Sequence, residues 1–179
     1  KKNQISFLNN FHKFQNPSNL NDTRLKIYNY INSKSIFSKM YYEIVKEYLD
    51  ILVGNELVMQ NKINLSIQLP NDKSSILPMH SDTWSGDSPF EIVVWIPLVN
   101  CFKTKSMFIL NPKESKHFYI NYKKNSKKHD SKSLFNLYKS KFKWIDIKFG
   151  EVLIFNQCLP HGNVENITSE TRWSLNCRF

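Results

Sequence analysis

The stretch KINLSIQL, residues 62–69, marks the point at which the sequence changes from helical to extended patterning. Apolar side chains at Ile63, Leu65, Ile67 and Leu69 alternate with polar ones. Successive side chains of a strand point to opposite faces, so this period of two indicates a strand with one apolar and one polar face. Further strand candidates follow towards the carboxyl terminus: IVVWIPL (92–98), SMFIL (106–110), FYINY (118–122), WIDIKF (144–149), EVLIF (151–155) and RWSLNCRF (172–179).

Helical patterning precedes these strands. In residues 35–53, apolar side chains recur at helical spacing, which predicts one apolar face, and Gly54 follows as a C-terminal cap. This face comprises Phe37, Met40, Tyr41, Ile44, Val45, Tyr48, Leu49 and Leu52. A weaker helix is predicted over residues 22–33, capped by Asp22 or Thr23. Helices followed by many strands predict a mainly β protein, a sandwich or barrel with N-terminal flanking helices.

The length of 179 residues suits a single domain. We expect a helical flank over residues 1–56 and a β-barrel core over 57–179, with a Lys-rich insert near 111–143 that folds over the entrance as a lid. No apolar run approaches the roughly 20 residues that span a bilayer, so no membrane partner is expected. Three scattered cysteines fit a reducing, cytoplasmic environment.

The formal net charge of +10 brings nucleic-acid binding into consideration. Its densest cluster, YKKNSKKHDSK (122–132), contains neither arginine nor interleaved aromatic residues. Two interpretations stay open for this cluster: a solvated loop, or a patch that attracts an anionic substrate or polymer. We do not expect nucleic acid as a partner, since the excess of lysine is spread along the chain.

The stretch LPMHSDTW (77–84) places His80 and Asp82 two residues apart, just after a predicted strand. Taken alone, the pair fits a polar turn as well as a metal site. Two imidazoles and one carboxylate on one face are typical of a mononuclear Fe(II) oxygenase. His161 is the candidate for the third ligand, because it follows the strand EVLIF and would emerge at a strand end.

The last predicted strand strengthens the metal interpretation. Arg172 follows His161 by eleven residues and shares a strand face with Ser174, Asn176 and Arg178. A charged side chain on a buried face is costly unless it is paired. A dicarboxylate would supply that pairing, since arginine grips a carboxylate through two parallel hydrogen bonds. A merely solvent-exposed face explains Arg172, but not its spacing from His161.

At these residues the sequence resembles a known family. HSD (80–82), GEVLIFNQCLPHGN (150–163) and RWS (172–174) are similar to the Fe(II)/2-oxoglutarate-dependent dioxygenases, in the phytanoyl-CoA dioxygenase-like branch. A tighter likeness is to small oxygenases of bacterial carbohydrate-biosynthesis clusters. The resemblance implies a double-stranded β-helix, a jelly-roll barrel of the cupin kind. It also implies an oxidoreductase that uses Fe(II), O2 and 2-oxoglutarate and releases succinate and CO2.

Residue by residue, the resemblance implies that His80, Asp82 and His161 bind iron. It implies that Arg172 and Ser174 bind the distal carboxylate of 2-oxoglutarate. The polar face of the strand before the motif carries Asn64, Ser66 and Gln68, of which one or more should reach the co-substrate or the substrate, with Gln68 the strongest candidate. Residues 103–116 depart from the family pattern, so nothing is carried over there.

The substrate is expected to be a small polar molecule, such as a sugar, nucleotide-sugar or amino-sugar intermediate. Trp84 would stack on a sugar ring and Asp87 would bond hydroxyls or an amine, although this stretch also fits an ordinary turn. Trp95 lies near the site or serves packing alone, and Asn163 is a further candidate. The rival hypotheses are a catalytically inactive cupin-like binding barrel and a basic nucleic-acid-binding domain.

Overall fold

The computed structural model describes residues 2–126 and 130–179; within a helix, side chains are not described for residues 123–126. Five helices are described: α1 Lys2–Asn9, α2 Leu20–Asn32, α3 Ser35–Leu52, α4 Pro112–Ser126 and α5 Ser131–Tyr138. The strands are β1 Asn64–Gln68, β2 Ile92–Pro97, β3 Phe108–Leu110, β4 Phe142–Trp144, β5 Leu153–Asn156, β6 His161–Gly162 and β7 Arg172–Arg178. The two predicted N-terminal helices are thereby confirmed as α2 and α3.

The strands form two antiparallel sheets. One has the order β1-β7-β2-β5 and the other the order β4-β3-β6. In the first sheet β7 pairs with β1, which places Ser174 opposite Ser66 and Arg172 opposite Gln68. The polar faces predicted for β1 and β7 therefore lie side by side. Antiparallel sheets agree with the expected class of fold, and the jelly-roll path of the chain stays a prediction.

Helix α3 packs on the outside of the first sheet through a narrow row of side chains. Tyr41, Val45 and Leu49 are buried in a cluster that includes Val94 and Cys177. The Tyr41 hydroxyl donates a hydrogen bond to the Val94 carbonyl at 2.7 Å. The prediction of a wide buried apolar face for this helix was wrong in part. The apolar side chains on one side of that face are exposed, namely Met40, Ile44, Tyr48 and Leu52. Buried positions at intervals of four residues suffice to hold the helix.

The insert at residues 111–143 is helical where it is described, and this corrects two predictions. The predicted strand FYINY (118–122) lies inside α4. Phe118 and Tyr122 are four residues apart, which is the spacing of neighbours on one helix face. Their rings are in tilted contact, with centroids 5.4 Å apart, and Phe118 is fully buried. Helix accounts for 43% of the chain and strand for 19%, so the expectation of a mainly β protein was wrong.

The predicted strand WIDIKF (144–149) was largely wrong, because only its first residue, Trp144, lies in a strand. Strand β4 ends at Trp144, and the chain continues through Ile145 and Ile147, which are buried. Ile147 and Cys101 exchange two backbone hydrogen bonds of 2.9 Å in an isolated bridge. The alternating apolar side chains are therefore buried without continuous strand pairing.

Two further expectations concern charge and membranes. Residues 127–129 of the lysine cluster lie outside the described residues, so neither interpretation of the cluster is tested. Across the described ranges, no helix combines the length and apolar character that a membrane span requires.

Candidate metal centre

An antiparallel bridge between two distant segments brings His80 and His161 together. The His80 amide donates to the His161 carbonyl at 2.9 Å, and the His161 amide donates to the His80 carbonyl at 2.8 Å. This reciprocal pair sets the two imidazole rings side by side, with centroids 4.4 Å apart. The backbone therefore fixes the separation of the two candidate ligands before any metal binds.

Asp82 completes the cluster from the start of a short 3-10 helix, Asp82–Ser85. Its amide donates to the Gln157 carbonyl at 3.2 Å, and the neighbouring Ser81 hydroxyl donates to the same carbonyl at 3.0 Å. The Asp82 Oδ1 atom lies 3.5 Å from His80 Nε2 and 4.0 Å from His161 Nε2. Among residues 2–126 and 130–179, these three side chains form the one group suited to hold a metal, with ligand atoms within 4.8 Å of one another.

The second nitrogen of each imidazole is held by the backbone. His80 Nδ1 lies 2.8 Å from the Pro78 carbonyl, and His161 Nδ1 lies 2.8 Å from the Leu159 carbonyl. A carbonyl only accepts, so each Nδ1 carries the hydrogen and each Nε2 presents its lone pair towards Asp82. This second hydrogen bond fixes the tautomer and ring orientation that a metal ligand needs. These partners are main-chain atoms, so no pattern of side chains identifies them.

Charges in the cluster suit a cation at neutral pH. Burial lowers the pKa of His161 to about 4, with a further contribution from His80, so its imidazole is neutral. Burial alone would raise the pKa of Asp82, but the adjacent imidazoles of His80 and His161 and the guanidinium of Arg178 hold that pKa below its usual value. Metal ligands must be deprotonated, and both groups already are.

Gly162 allows the bridge to form. A Cβ atom at this position would lie 2.8 Å from the Leu77 carbonyl oxygen, 2.9 Å from Phe108 Cζ and 3.0 Å from the Pro78 carbonyl oxygen. Two of these contacts are with the backbone of the segment that leads into His80. Strand β6 can therefore approach this segment closely only because residue 162 lacks a side chain.

Gly162→Ala is expected to weaken metal binding, since the added methyl group pushes the two histidine-bearing segments apart. We also expect a loss of about 1–3 kcal/mol in unfolding free energy from overpacking. Gly54→Ala is the matched control. Gly54 has a φ of +96° and no atom within 4 Å of an added Cβ, so its substitution strains only the backbone at the end of α3. Thermal melting and metal titration of both variants check this: both lower stability, and only Gly162→Ala lowers metal affinity.

At the other end of the polar strand face lies a buried cation. Arg172 is 4% exposed, and no carboxylate of the described residues pairs with it. Its guanidinium donates to the Ser66 hydroxyl at 2.9 Å and to the Ser106 carbonyl at 3.4 Å. Burial lowers its pKa to about 10, which leaves it charged at neutral pH. Arg172 Nε and Ser174 Oγ are buried without a hydrogen-bond partner in the described structure. These orphaned groups fit an anionic ligand that accepts hydrogen bonds.

A cavity of about 430 Å³ connects the histidine cluster to Arg172. Its volume is in the range of small-molecule sites. The polar and charged residues that line it are Arg24, Asn64, Ser66, Ser74, Ser75, His80, Asp82, His161, Asn163, Arg172, Ser174, Asn176 and Arg178. Sequence reasoning missed Arg24, which reaches the cavity from α2 and bonds the Ile67 carbonyl and Asp72. No local signal marked it, since the contact is purely tertiary.

The residues predicted to contact co-substrate or substrate fall into two groups. Asn64, Ser174, Trp95 and Asn163 line the cavity. Asn163 also supports the wall, because its side chain accepts from the Leu77 amide at 2.6 Å and donates to the Ser75 carbonyl at 3.1 Å.

Gln68, Trp84 and Asp87 are not among the residues that line the cavity. Gln68 is fully buried and donates to the Val164 carbonyl at 2.7 Å. Trp84 stacks on Phe118 and Tyr122, which packs α4 against the segment that carries Asp82. Their assignments as ligand-binding residues stay predictions.

The site as a whole presents two imidazoles and one carboxylate on one side of a cavity, with a buried arginine further in that pairs with no carboxylate of the described residues. Two imidazoles and a carboxylate with open positions are the donor set of non-haem Fe(II) oxygenases. The buried guanidinium adds a place for a carboxylate. The chemistry of the site is thus that of a metal centre with an anionic co-ligand.

Comparison with solved structures supports the same class of fold. HygX from Streptomyces hygroscopicus with iron bound is 11% identical, with a TM-score of 0.63 over 92% of this chain and 78% of that chain. HygX with nickel and 2-oxoglutarate bound gives 0.60 at 13% identity, over 83% and 66% of the two chains. The non-haem monooxygenase ThoJ, as a nickel complex, gives 0.53 at 16% identity, over 75% and 48%.

AviO1 from Streptomyces viridochromogenes Tue57 gives a TM-score of 0.53 at 13% identity, over 76% of this chain and 56% of that chain. The protein thus spans about half the length of ThoJ and AviO1. No family model and no curated protein matches the sequence. The structural likeness confirms that the chain shares the fold of non-haem oxygenases, as its motifs predicted.

Proposed function

We propose that the protein is an Fe(II)- and 2-oxoglutarate-dependent oxygenase with a double-stranded β-helix core, flanked by the helices of residues 1–56. The observation that carries this proposal is the placement of the His80, Asp82 and His161 cluster across one cavity from a buried Arg172 that no carboxylate of the described residues pairs with. A metal site alone would not require the buried arginine. The structurally similar HygX was solved with nickel and 2-oxoglutarate bound, which supports the same pairing of ligands.

Fe(II), when bound to the three side chains, supplies O2 activation coupled to the conversion of 2-oxoglutarate to succinate and CO2, and one oxygen atom passes to the substrate. The chain itself supplies geometry and charge. His80 and His161 present Nε2 because their Nδ1 atoms are held by backbone carbonyls, and Asp82 neutralises one of the two positive charges of the ion. An ion held by these three side chains would be accessible to ligands from the cavity.

Arg172, Ser174 and Ser66 form the binding site for the distal carboxylate of 2-oxoglutarate. The guanidinium is already oriented by Ser66, and its free Nε and the free Ser174 hydroxyl are the donors that a carboxylate needs. Charge-assisted hydrogen bonds of this kind are about twice as strong as neutral ones, and burial removes competing water. Asn64 and Asn176, which are bonded to each other at 2.9 Å, line the cavity from the same pair of strands.

The substrate in this proposal is a small polar molecule, with a carbohydrate or amino-sugar derivative as the leading class. Support comes from a cavity lined by hydroxyl, amide and guanidinium groups alongside Trp95. A sugar offers many hydroxyl groups to such a lining. The α4–α5 insert would cover the entrance, with its lysines favouring an anionic substituent.

The experiment that tests the proposed function is turnover of 2-oxoglutarate. Purified protein with Fe(II), ascorbate and O2 is expected to form succinate even without the native substrate, at a slow uncoupled rate, and candidate sugars are then screened for an increase. His80→Ala is expected to abolish succinate formation, whereas His117→Ala, on the exposed surface of α4, is expected to leave it unchanged. A wild-type protein that binds both ligands and forms no succinate would be the inactive cupin-like barrel.

A further inference from the structure

Arg178 lies at the metal end of β7 and contacts the candidate ligand carboxylate directly. Its Nη2 atom is 3.3 Å from Asp82 Oδ1 and 3.5 Å from Asp87 Oδ2. The Asp82 Oδ1 atom is the same oxygen that faces both imidazoles. One guanidinium therefore joins the ligand oxygen to a second carboxylate that is not a member of the metal cluster.

Local backbone contacts position both Arg178 and Asp87. Two hydrogen bonds to Gln60 hold the backbone of Arg178 at the end of β7. The Arg178 amide donates to Gln60 Oε1 at 3.3 Å, and the Arg178 carbonyl accepts from the Gln60 amide at 2.9 Å. Asp87 follows the 3-10 helix that starts at Asp82, after Gly86 turns the chain with a φ of +98°. The turn thus returns a second carboxylate to the arginine that holds the first.

The charges explain why two carboxylates are needed. An arginine alone on Asp82 Oδ1 would compete with a metal ion for the lone pairs of that oxygen. Asp87 offers the guanidinium a second acceptor, which leaves Asp82 held in place but still free to bind a cation. Both carboxylates face the same nitrogen, Nη2, whose two hydrogens lie at fixed angles in the guanidinium plane, whereas the ammonium group of a lysine rotates freely.

We infer that Arg178 and Asp87 are positioning residues for the metal centre. Arg178 orients the Asp82 carboxylate, and Asp87, as a second acceptor for the guanidinium, reduces the competition of Arg178 with the metal for that carboxylate. This inference rests on the proposed metal site. It gives Asp87 a different role from binding a substrate hydroxyl or amine. A substrate-binding Asp87 would have no effect on metal affinity in the absence of substrate, so the two roles are distinguishable.

Arg178 could act as a nearby positive charge or as a residue that orients Asp82. These two roles predict opposite effects of its removal on metal affinity. If the guanidinium acted only as a nearby positive charge, its removal would tighten the binding of a divalent cation. If it orients Asp82, its removal weakens binding, because the carboxylate is then free to turn away from the two imidazoles. The direction of the change in affinity therefore tests the inference directly.

The experiment is a titration of the 2-oxoglutarate-free protein with Co(II), whose visible spectrum reports the arrangement of its ligands. Arg178→Gln is expected to lower the Co(II) affinity about tenfold, the scale seen when an outer partner of a ligand is lost, and to alter the spectrum. Arg178→Lys keeps the positive charge but loses the planar guanidinium. It is expected to lower the Co(II) affinity less than Arg178→Gln does. Lys73→Gln is the control, since Lys73 pairs with Glu165 at 3.8 Å and does not line the cavity; it is expected to leave Co(II) binding unchanged.

A double-mutant cycle tests the role of Asp87. Asp87→Asn is expected to weaken Co(II) binding in the wild-type background and to have no further effect in Arg178→Gln, because Asp87 acts through Arg178. Equal weakening in both backgrounds would mean that Asp87 acts by its own charge and would overturn its assigned role. Unchanged or tighter binding in both Arg178→Gln and Arg178→Lys would overturn the role of Arg178. Failure of the proposed metal site itself is a separate result: His161→Ala would then bind Co(II) as well as the wild type.

Discussion

Replacement of His161 by alanine is expected to lower the affinity for Fe(II) by more than about 100-fold, beyond the range reported for the loss of an outer-shell partner. His161 supplies one of three ligand atoms, and its ring is fixed by the Leu159 carbonyl and by an edge contact with Phe155 at 5.0 Å between ring centroids. The remaining His80 and Asp82 would hold the ion with two atoms only. Anaerobic Fe(II) titration followed by calorimetry checks this loss.

His117→Ala is the control for this prediction, because His117 is exposed on α4 and lies outside the cluster. Succinate formation is expected to disappear in His161→Ala together with metal binding. A variant that kept wild-type Fe(II) affinity would show that the ion binds elsewhere, and the account of the site would be wrong.

Arg172→Met is expected to abolish 2-oxoglutarate binding while metal binding persists. Loss of two charge-assisted hydrogen bonds costs about 3 kcal/mol or more, which corresponds to roughly 150-fold in affinity. The unfolding free energy of the ligand-free protein is not expected to fall, because methionine removes a buried cation that has no carboxylate partner in the described residues. A 2-oxoglutarate concentration of 100 times the wild-type dissociation constant would stabilise the wild type by about 2.7 kcal/mol and the variant by only about 0.3 kcal/mol.

Thermal melting with and without 2-oxoglutarate, in the presence of a redox-inert metal, measures both parts of this prediction. The metal-only stabilisation of Arg172→Met serves as the internal control for an intact site. A ligand-induced shift of the same size in both proteins would exclude Arg172 from co-substrate binding and leave the buried guanidinium unexplained.

The sequence allowed the candidate ligands to be identified because their chemistry depends on spacing and on strand ends. His80 and Asp82 stand two apart after a strand, and His161 and Arg172 follow at the ends of later strands, which the antiparallel pairing brings together. Alternation in β7 placed Arg172 and Ser174 on one face, and the register with β1 agrees with that reading. Their roles in binding iron and 2-oxoglutarate stay predictions.

Other features depend on tertiary contacts that leave no local pattern. Phe118 and Tyr122 are spaced equally well for one face of a helix and for one side of a strand, and the helix prevails because both rings stack with Trp84. Arg24 reaches the cavity from a helix more than forty residues away from the strand carbonyl that it bonds. The carbonyl partners of the histidine Nδ1 atoms belong to the backbone. None of these has a side-chain signature in the sequence.

The central claim is that one cavity holds an iron ion and 2-oxoglutarate together. Anaerobic titration of the protein with Fe(II) and then with 2-oxoglutarate, followed by visible absorption, tests it most directly. A weak metal-to-ligand charge-transfer band is predicted to develop only when both are present and to be absent in His80→Ala. A protein that binds each ligand without developing this band would contradict the account, because the keto acid would then lie away from the metal.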